Sequence, residues 1–323
     1  MKELRDGLYF NRRPIVAGLC LAVLIGSRVW ALGTQTVPPV GNKDFKLTVD
    51  VDLVIFNVTP VDGKGRPVKG LSKDNFRIFE DAVEQSIQFV RPEDIPATVG
   101  LVIDNSGSMR QKRADVVAAA MEFAESSNPQ DEIFVVNFNE RVSTGLPDSL
   151  QFTNDKDQLR AALTTAKPDG KTALYDAVIA ALNHLQAGTH QKRAVVVLSD
   201  GGDNASASSL EDVLRAAEHV NATVFTIGIY DPNDKDKNPN VLRQIAKLTG
   251  GQAYLPEGLD DLQEIWLKIA DGIRNQYTIG YFSTNVKHDG TFREVKVSVA
   301  GKDGKPLRVR SRRGYISPTG NKE

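Results

Sequence analysis

The chain has 323 residues, 41% hydrophobic and 25% charged, which is material for one large globular domain or two ordinary ones. With 40 lysines and arginines against 41 aspartates and glutamates, the formal net charge of -1 excludes a global pull toward nucleic acid or an acidic membrane. Cys20 is the single cysteine, so an internal disulfide is excluded as well.

The N-terminus opens with "MKELRDGLYFNRR", in which Arg12 and Arg13 directly precede the apolar run "PIVAGLCLAVLIG". Val29-Trp30-Ala31 then offers a cleavage site, so residues 1–31 read as a signal peptide. The run is shorter than the ~20 apolar residues of a membrane span. Export to the periplasm, cell surface or medium is therefore expected, with membrane attachment only if the segment stays uncleaved. Residues 32–44, which include "TQTVPPVGNK", read as a flexible linker.

From 45 to 96 the apolar pattern has period two in places (Phe45, Leu47, Val49, Val51), and "LVIFNVTPV", "FRIFED" and "SIQFVRP" are split by Gly, Pro and Asp clusters. Such a pattern predicts antiparallel strands with one wet face. From 97 to 275 it changes. "TVGLVID", "EIFVVNF", "RAVVVLSD" and "ATVFTIGIY" are nearly continuous Val- and Ile-rich runs, as in strands covered on both faces. Between and after them, "TALYDAVIAALNHL", "LEDVLRAAEHV", "VLRQIAKLTGG" and "LDDLQEIWLKIADGI" have helical spacing, with Ser209 and Asp212 as a capping box. The prediction is a doubly wound, mostly parallel α/β sheet, its last helix running from Leu259 to about Asn275. From 276 to 317 period two returns in "QYTIGYF", "REVKVSVA" and "LRVRSRRGYIS", separated by the hairpin-like "KHDGT" and "GKDGKP". Neither flank has much core alone, so the two are expected to form one small antiparallel β-sandwich around the α/β unit. Residues 318–323 are a tail.

In "GLVIDNSGSMR", residues 100–110, an apolar strand stops at Asp104 and meets Ser106 and Ser108 on alternate positions. Asp200 closes another such strand, and Thr172 precedes a helix in "KPDGKTALYDA". Ligands of doubly wound sheets bind at the carboxyl ends of the strands where strand order reverses, so Asp104 and Asp200 would meet if their strands are neighbours. Asp104, Ser106, Ser108, Thr172 and Asp200 offer hard oxygen donors, which suit Mg²⁺ or Mn²⁺, admit Ca²⁺ and disfavour Zn²⁺.

D-x-S-x-S closing one strand, a threonine in a later pre-helical loop and "SDG" closing another strand resemble the von Willebrand factor type A domain. That resemblance covers roughly 97–275. It implies a metal-ion-dependent adhesion site as in integrin I domains. Ser106, Ser108 and Thr172 would be hydroxyl ligands, and Asp104 and Asp200 carboxylates acting directly or through water. It also implies capture of an acidic side chain from a protein partner, without catalysis, and a last helix that moves on binding. The flanks, including "GRPVKGLSKDNFRIFEDAVEQSIQF" and "RRGYIS", resemble the exported bacterial proteins called VWFA-related.

Two other functions compete. One is a hydrolase or phosphotransferase with Asp104 or Ser106 as nucleophile. Phosphoaspartate enzymes, however, need an Asp where Ser106 stands, and no G-x-S-x-G elbow occurs. The other is a purely structural envelope protein. Elsewhere, "DPNDKDKN" lacks the Gly and Glu of a calcium loop and reads as a solvated loop. In "RVRSRRGY" the arginines Arg308 and Arg310 alternate with apolar Leu307 and Val309, as on a wet strand face. The four histidines are scattered.

Overall fold

In the computed structural model the described residues are 52–91, 95–230 and 237–320. The signal peptide, the linker, the period-two residues 45–51 and most of "DPNDKDKN" lie outside them. Strands β1 (Leu53–Val61), β2 (Phe76–Glu80), β3 (Val83–Gln85) and β4 (Ile87–Arg91) come first. The α/β part follows as β5 (Ala97–Asp104), α1 (Arg113–Ser126), β6 (Glu132–Phe138), β7 (Val142–Thr144), α2 (Lys156–Thr164), α3 (Leu174–His184), β8 (Lys192–Ser199), α4 (Leu210–His219), β9 (Thr223–Gly228), α5 (Pro239–Leu248), β10 (Ala253–Tyr254) and α6 (Leu262–Arg274). Strands β11 (Tyr277–Phe282), β12 (Phe292–Ala300), β13 (Pro306–Ser311) and β14 (Gly314–Ile316) close the fold.

The α/β sheet has the order β10-β9-β8-β5-β6-β7 and is parallel apart from β7. Every residue of β5 is buried, as expected of a central strand covered on both faces. The helices fall into two packed groups, α1 with α2 and α6, and α3 with α4 and α5. Trp266 of α6 is fully buried and tilts against Phe123 of α1, ring centroids 5.4 Å apart. Among the described residues no helix is long and apolar enough to cross a membrane.

Three local expectations change. Helices α1 and α2 and the short edge strand β7 were not anticipated. Helix α6 begins at Leu262 rather than Leu259, because Leu259 to Asp261 form a preceding turn whose Leu259 carbonyl accepts the Leu262 N–H. "KHDGT" is not a hairpin turn. β11 pairs with β1 and β4 on its two edges, so the chain must cross over before β12 joins β2, β13 and β14.

The flanking strands form one eight-stranded antiparallel sheet, ordered β3-β2-β12-β13-β1-β11-β4 with β14 on β12, rather than two separate layers of a sandwich. The sheet folds over on itself. Phe76 of β2 packs against Tyr277 of β11 at 5.1 Å, although β12, β13 and β1 lie between those strands in the order. Glu80 of β2 likewise accepts hydrogen bonds from the Tyr281 hydroxyl of β11 (2.8 Å) and from Ser283 (2.6 Å). The long strand β12 makes this closure continuous, since it pairs with β14 at one end and β13 at the other.

The folded sheet encloses its own core around Phe56, Ile78, Tyr277 and Tyr281, separate from the core of the α/β unit. Tyr277 fills that core while its hydroxyl donates to the Val68 carbonyl and accepts from the Leu71 N–H. Tyr277→Ala should therefore cost about 3–5 kcal/mol. Urea unfolding followed by a probe in this sheet would measure it, and a cost below about 1 kcal/mol would contradict the packing described.

Candidate functional site

Strands β5 and β8 are parallel neighbours with Ile103 opposite Leu198, so Asp104 and Asp200 emerge at the same end of the sheet. From β5 the chain moves to one side (β6, β7) and later to the other (β8, β9, β10), so this end is the point of strand-order reversal. The structure thus brings both carboxylates together with Ser106, Ser108 and Thr172.

Asp104 is 2% exposed and sits behind the cavity. One carboxylate oxygen accepts the Ser106 N–H at 2.8 Å, and the other accepts the Ser199 hydroxyl at 2.7 Å. The Ser106 and Ser108 hydroxyl oxygens are 3.0 Å apart, and Ser108 donates to Asp200 Oδ2 at 2.8 Å. Asp200 Oδ1 accepts the Gly202 N–H at 3.0 Å. Gly201 between them has φ +79°, and a Cβ there would lie 2.4 Å from the Asn238 carbonyl oxygen. Only glycine suits both demands. Thr172 is held through its backbone, its N–H donating to Asn204 Oδ1 at 2.9 Å and its carbonyl accepting from Asn204 and Ala205. Ser106, Ser108, Thr172 and Asp200 line a cavity of about 210 Å³, with Lys171 and Asn204 also in the lining.

The residues that support the site carry no signal in the sequence. Ser199 belongs to the quoted "SDG" strand end, but nothing in the sequence says that its hydroxyl turns toward Asp104. Asn105 is fully buried and donates to the Ile103 carbonyl and to Asn137 Oδ1, while Asn137 donates to the Ala162 carbonyl. The Asn105 carbonyl accepts the Asp169 N–H, and the Gly107 N–H donates to the Gly170 carbonyl, which joins the D-x-S-x-S loop to the loop carrying Thr172. A mid-motif Asn looks like turn chemistry in sequence. Here it anchors the motif to β6.

The donor set fits a hard divalent ion. Oxygens at about 2.0–2.1 Å in an octahedron around Mg²⁺ are separated by about 2.9 Å along each edge. The Ser106–Ser108 and Ser108–Asp200 separations of 3.0 and 2.8 Å already have that spacing. Burial, and then the negative charge of Asp200, push the pKa of Asp104 up to about 6. Two buried carboxylates that repel one another favour a cation between them.

That shift makes a prediction for the metal-free protein. A native-state pKa of about 6 against an ordinary 3.8 means that the folded chain binds the extra proton. The resulting stabilisation is full below pH 3.8 and is lost as pH rises through about 6. Its size is about 3 kcal/mol. In EDTA, urea midpoints should fall from pH 4.5 to pH 7 more steeply for the wild type than for Asp104→Asn. Parallel pH profiles for the two proteins would contradict it.

Residues 99–202 match the family model of the von Willebrand factor type A domain. No curated protein matches the chain significantly. Among solved structures, a von Willebrand factor type A protein from Catenulispora acidiphila is similar with a TM-score of 0.50 at 14% identity, covering 84% of this chain and 74% of that one. BatB from Bacteroides thetaiotaomicron gives 0.44 at 17% identity, covering 55% and 98% respectively. The vWF domain of the type V pili tip protein Mfa5 from Porphyromonas gingivalis gives 0.47 at 15% identity, covering 55% and 95%. At 14% identity the likeness to the Catenulispora protein is one of fold. A coverage of 84% is more than the α/β unit can supply, so the likeness to the Catenulispora protein extends into the antiparallel sheet.

Proposed function

We propose that the von Willebrand factor type A domain of this chain, residues 97–275, is a metal-dependent protein-binding module that captures an acidic side chain of a partner. The observation that carries this reading is the run of oxygens from Ser106 through Ser108 to Asp200, at octahedral-edge spacing in front of buried Asp104. Ser106, Ser108, Thr172 and Asp200 would hold Mg²⁺ or Mn²⁺, with Asp104 fixing the loop behind them. The bound ion supplies a Lewis-acidic position that a partner's carboxylate can complete. Lys171 in the cavity lining adds a positive charge that favours an incoming anion. The resemblance to integrin-type domains extends the proposal to a shift of α6, which is joined directly to β11 of the second sheet.

The domain is proposed to be non-enzymatic. Both Asp104 oxygens are engaged, by Ser106 and Ser199, and the carboxylate lies behind the cavity wall, a poor position for in-line attack. Capture of a partner from envelope extract should require Mg²⁺, disappear in EDTA, and fail for Asp200→Ala. Capture that survives both EDTA and the substitution would refute the proposal. Export is part of the same reading, and N-terminal sequencing of the exported protein should begin at Leu32. Recovery of the intact chain in the cytoplasm would refute export.

A further inference from the structure

A second cleft shares no lining residue with the cavity of the candidate ion site. It has a volume of about 780 Å³ and lies between α6, the edge of the α/β sheet at Tyr254, the loop that follows β1, and Arg310 of β13. That size is within the range of small-molecule sites, about 300–1,000 Å³. Its floor is apolar, built from Phe225, Tyr254, Leu267 and the helical residue Gly272. A glycine inside a helix is destabilising relative to alanine. Here a Cβ on Gly272 would meet nothing closer than Phe225 at 3.8 Å, so steric crowding does not demand the glycine. Its absent side chain leaves the floor open.

The charges around the cleft do not balance. Asp62 is paired with Arg66 (2.8 Å), Glu264 with Lys268 (2.7 Å) and Asp271 with Lys69 (3.1 Å). Arg310 of the lining and exposed Arg308, which lies beside it just outside the lining, have no carboxylate partner among the described residues. Both reach the same spot, since a Cβ on Gly65 would find an Arg310 guanidinium nitrogen at 3.3 Å and an Arg308 one at 3.4 Å. Arg310 donates to the Gly65 carbonyl at 2.8 Å, which fixes its direction. Burial holds the Arg310 pKa below its ordinary value, with Arg308 pulling the same way and Tyr254 opposing it. An arginine pair held together without a counter-charge is matched by an oxyanion, which two guanidinium forks can grip together.

We propose that this cleft binds a small amphipathic ligand, with one oxyanion group on the Arg308–Arg310 pair and an apolar body over Phe225, Tyr254, Leu267 and Gly272. Because α6 provides one wall and β13 another, the occupant would touch both sheets' elements at once. The alternating arginines of "RVRSRRGY" are then more than a solvated strand face.

The probe is 8-anilinonaphthalene-1-sulfonate, a flat apolar body with one sulfonate, titrated by fluorescence into the full chain. One saturable site is expected, weakened about tenfold or more in the double variant Arg308→Gln/Arg310→Gln, which loses two charge-assisted contacts. Gly272→Leu, which fills the floor without changing charge, should weaken it comparably, whereas Arg313→Gln should not. N-phenyl-1-naphthylamine, lacking the sulfonate, should bind about tenfold more weakly. Displacement by decanoate identifies a carboxylate head and displacement by decyl phosphate a phosphate head. Wild-type affinity in both the double-arginine and Gly272 variants overturns the proposal, as does displacement by neither competitor. Thermal melts of each variant establish that it is folded, so altered binding is read on intact protein.

Discussion

Replacing Asp200 with alanine should lower the affinity of the full chain for Mn²⁺ by at least about a hundredfold, and Asp104→Ala should do nearly as much. The two losses have different origins. Asp200 lines the cavity and accepts from Ser108, so its removal deletes a carboxylate donor and frees the Ser108 hydroxyl to rotate. Asp104 lies behind, where it orients the Ser106 backbone and receives the Ser199 hydroxyl, so its removal deletes charge and loosens the loop. Ser199→Ala leaves all five candidate ligands in place and should cost only about tenfold, as supporting hydrogen bonds to ligands do. Isothermal calorimetry with Mn²⁺ is the measurement. Unchanged binding in both Asp variants would remove the site assignment altogether. Asp104→Asn provides the folding control, because losing a buried charge of raised pKa should not destabilise the metal-free chain at pH 7.

The parts of the molecule that were legible in sequence are those where one signal dominates. β5, β6, β8 and β9 are continuous apolar runs because both faces of the parallel sheet are covered, and each was read at nearly its observed span. Helix α4 carried its own start signal, and the Ser209–Asp212 capping box is present as expected. Helix α1 was invisible for a physical reason. Val116 through Met121 are all apolar, so no stripe separates the buried face from the wet one. Helix α2 is only nine residues long, too short for a periodic pattern to stand out despite its Asp155 cap.

The site divides in the same way. Its five candidate ligands were readable because Asp104 and Asp200 stand at strand ends of the α/β pattern, Ser106 and Ser108 follow Asp104 on alternate positions, and Thr172 precedes a helix. Their support was not readable, because it depends on directions in space. Asn105 reaches across to Asn137 on β6, and Ser199 turns toward Asp104 from the neighbouring strand. The second sheet shows the limit most plainly. Alternation gave its strands, but not that β11 would sit between β1 and β4 while β12 joined β2, since the number of residues in a loop does not say which edge is free.

That strand order sets up the other large effect. Truncation of the chain after Gln276 should unfold residues 53–91 while leaving the α/β unit intact. The deletion removes β11, β12, β13 and β14. Strand β1 pairs with β11 on one edge and β13 on the other, and β4 pairs with β11, so both lose their ladders. Strands β2 and β3 keep each other, but a lone two-stranded hairpin is marginal in water. The second core goes as well, since Tyr277, Ile279, Tyr281, Val295, Val297 and Val299 all belong to it. The α/β core draws on none of these residues, and its last helix ends at Arg274, before the cut. Hydrogen exchange should therefore show protection in residues 53–61 and 87–91 falling by at least about a hundredfold, while that in 97–104, 192–199 and 223–228 stays within a few-fold of wild type. Retained protection in residues 53–61 would mean that the N-terminal strands fold without the C-terminal ones, and collapse of protection in residues 97–104 would mean that the two cores are one cooperative unit.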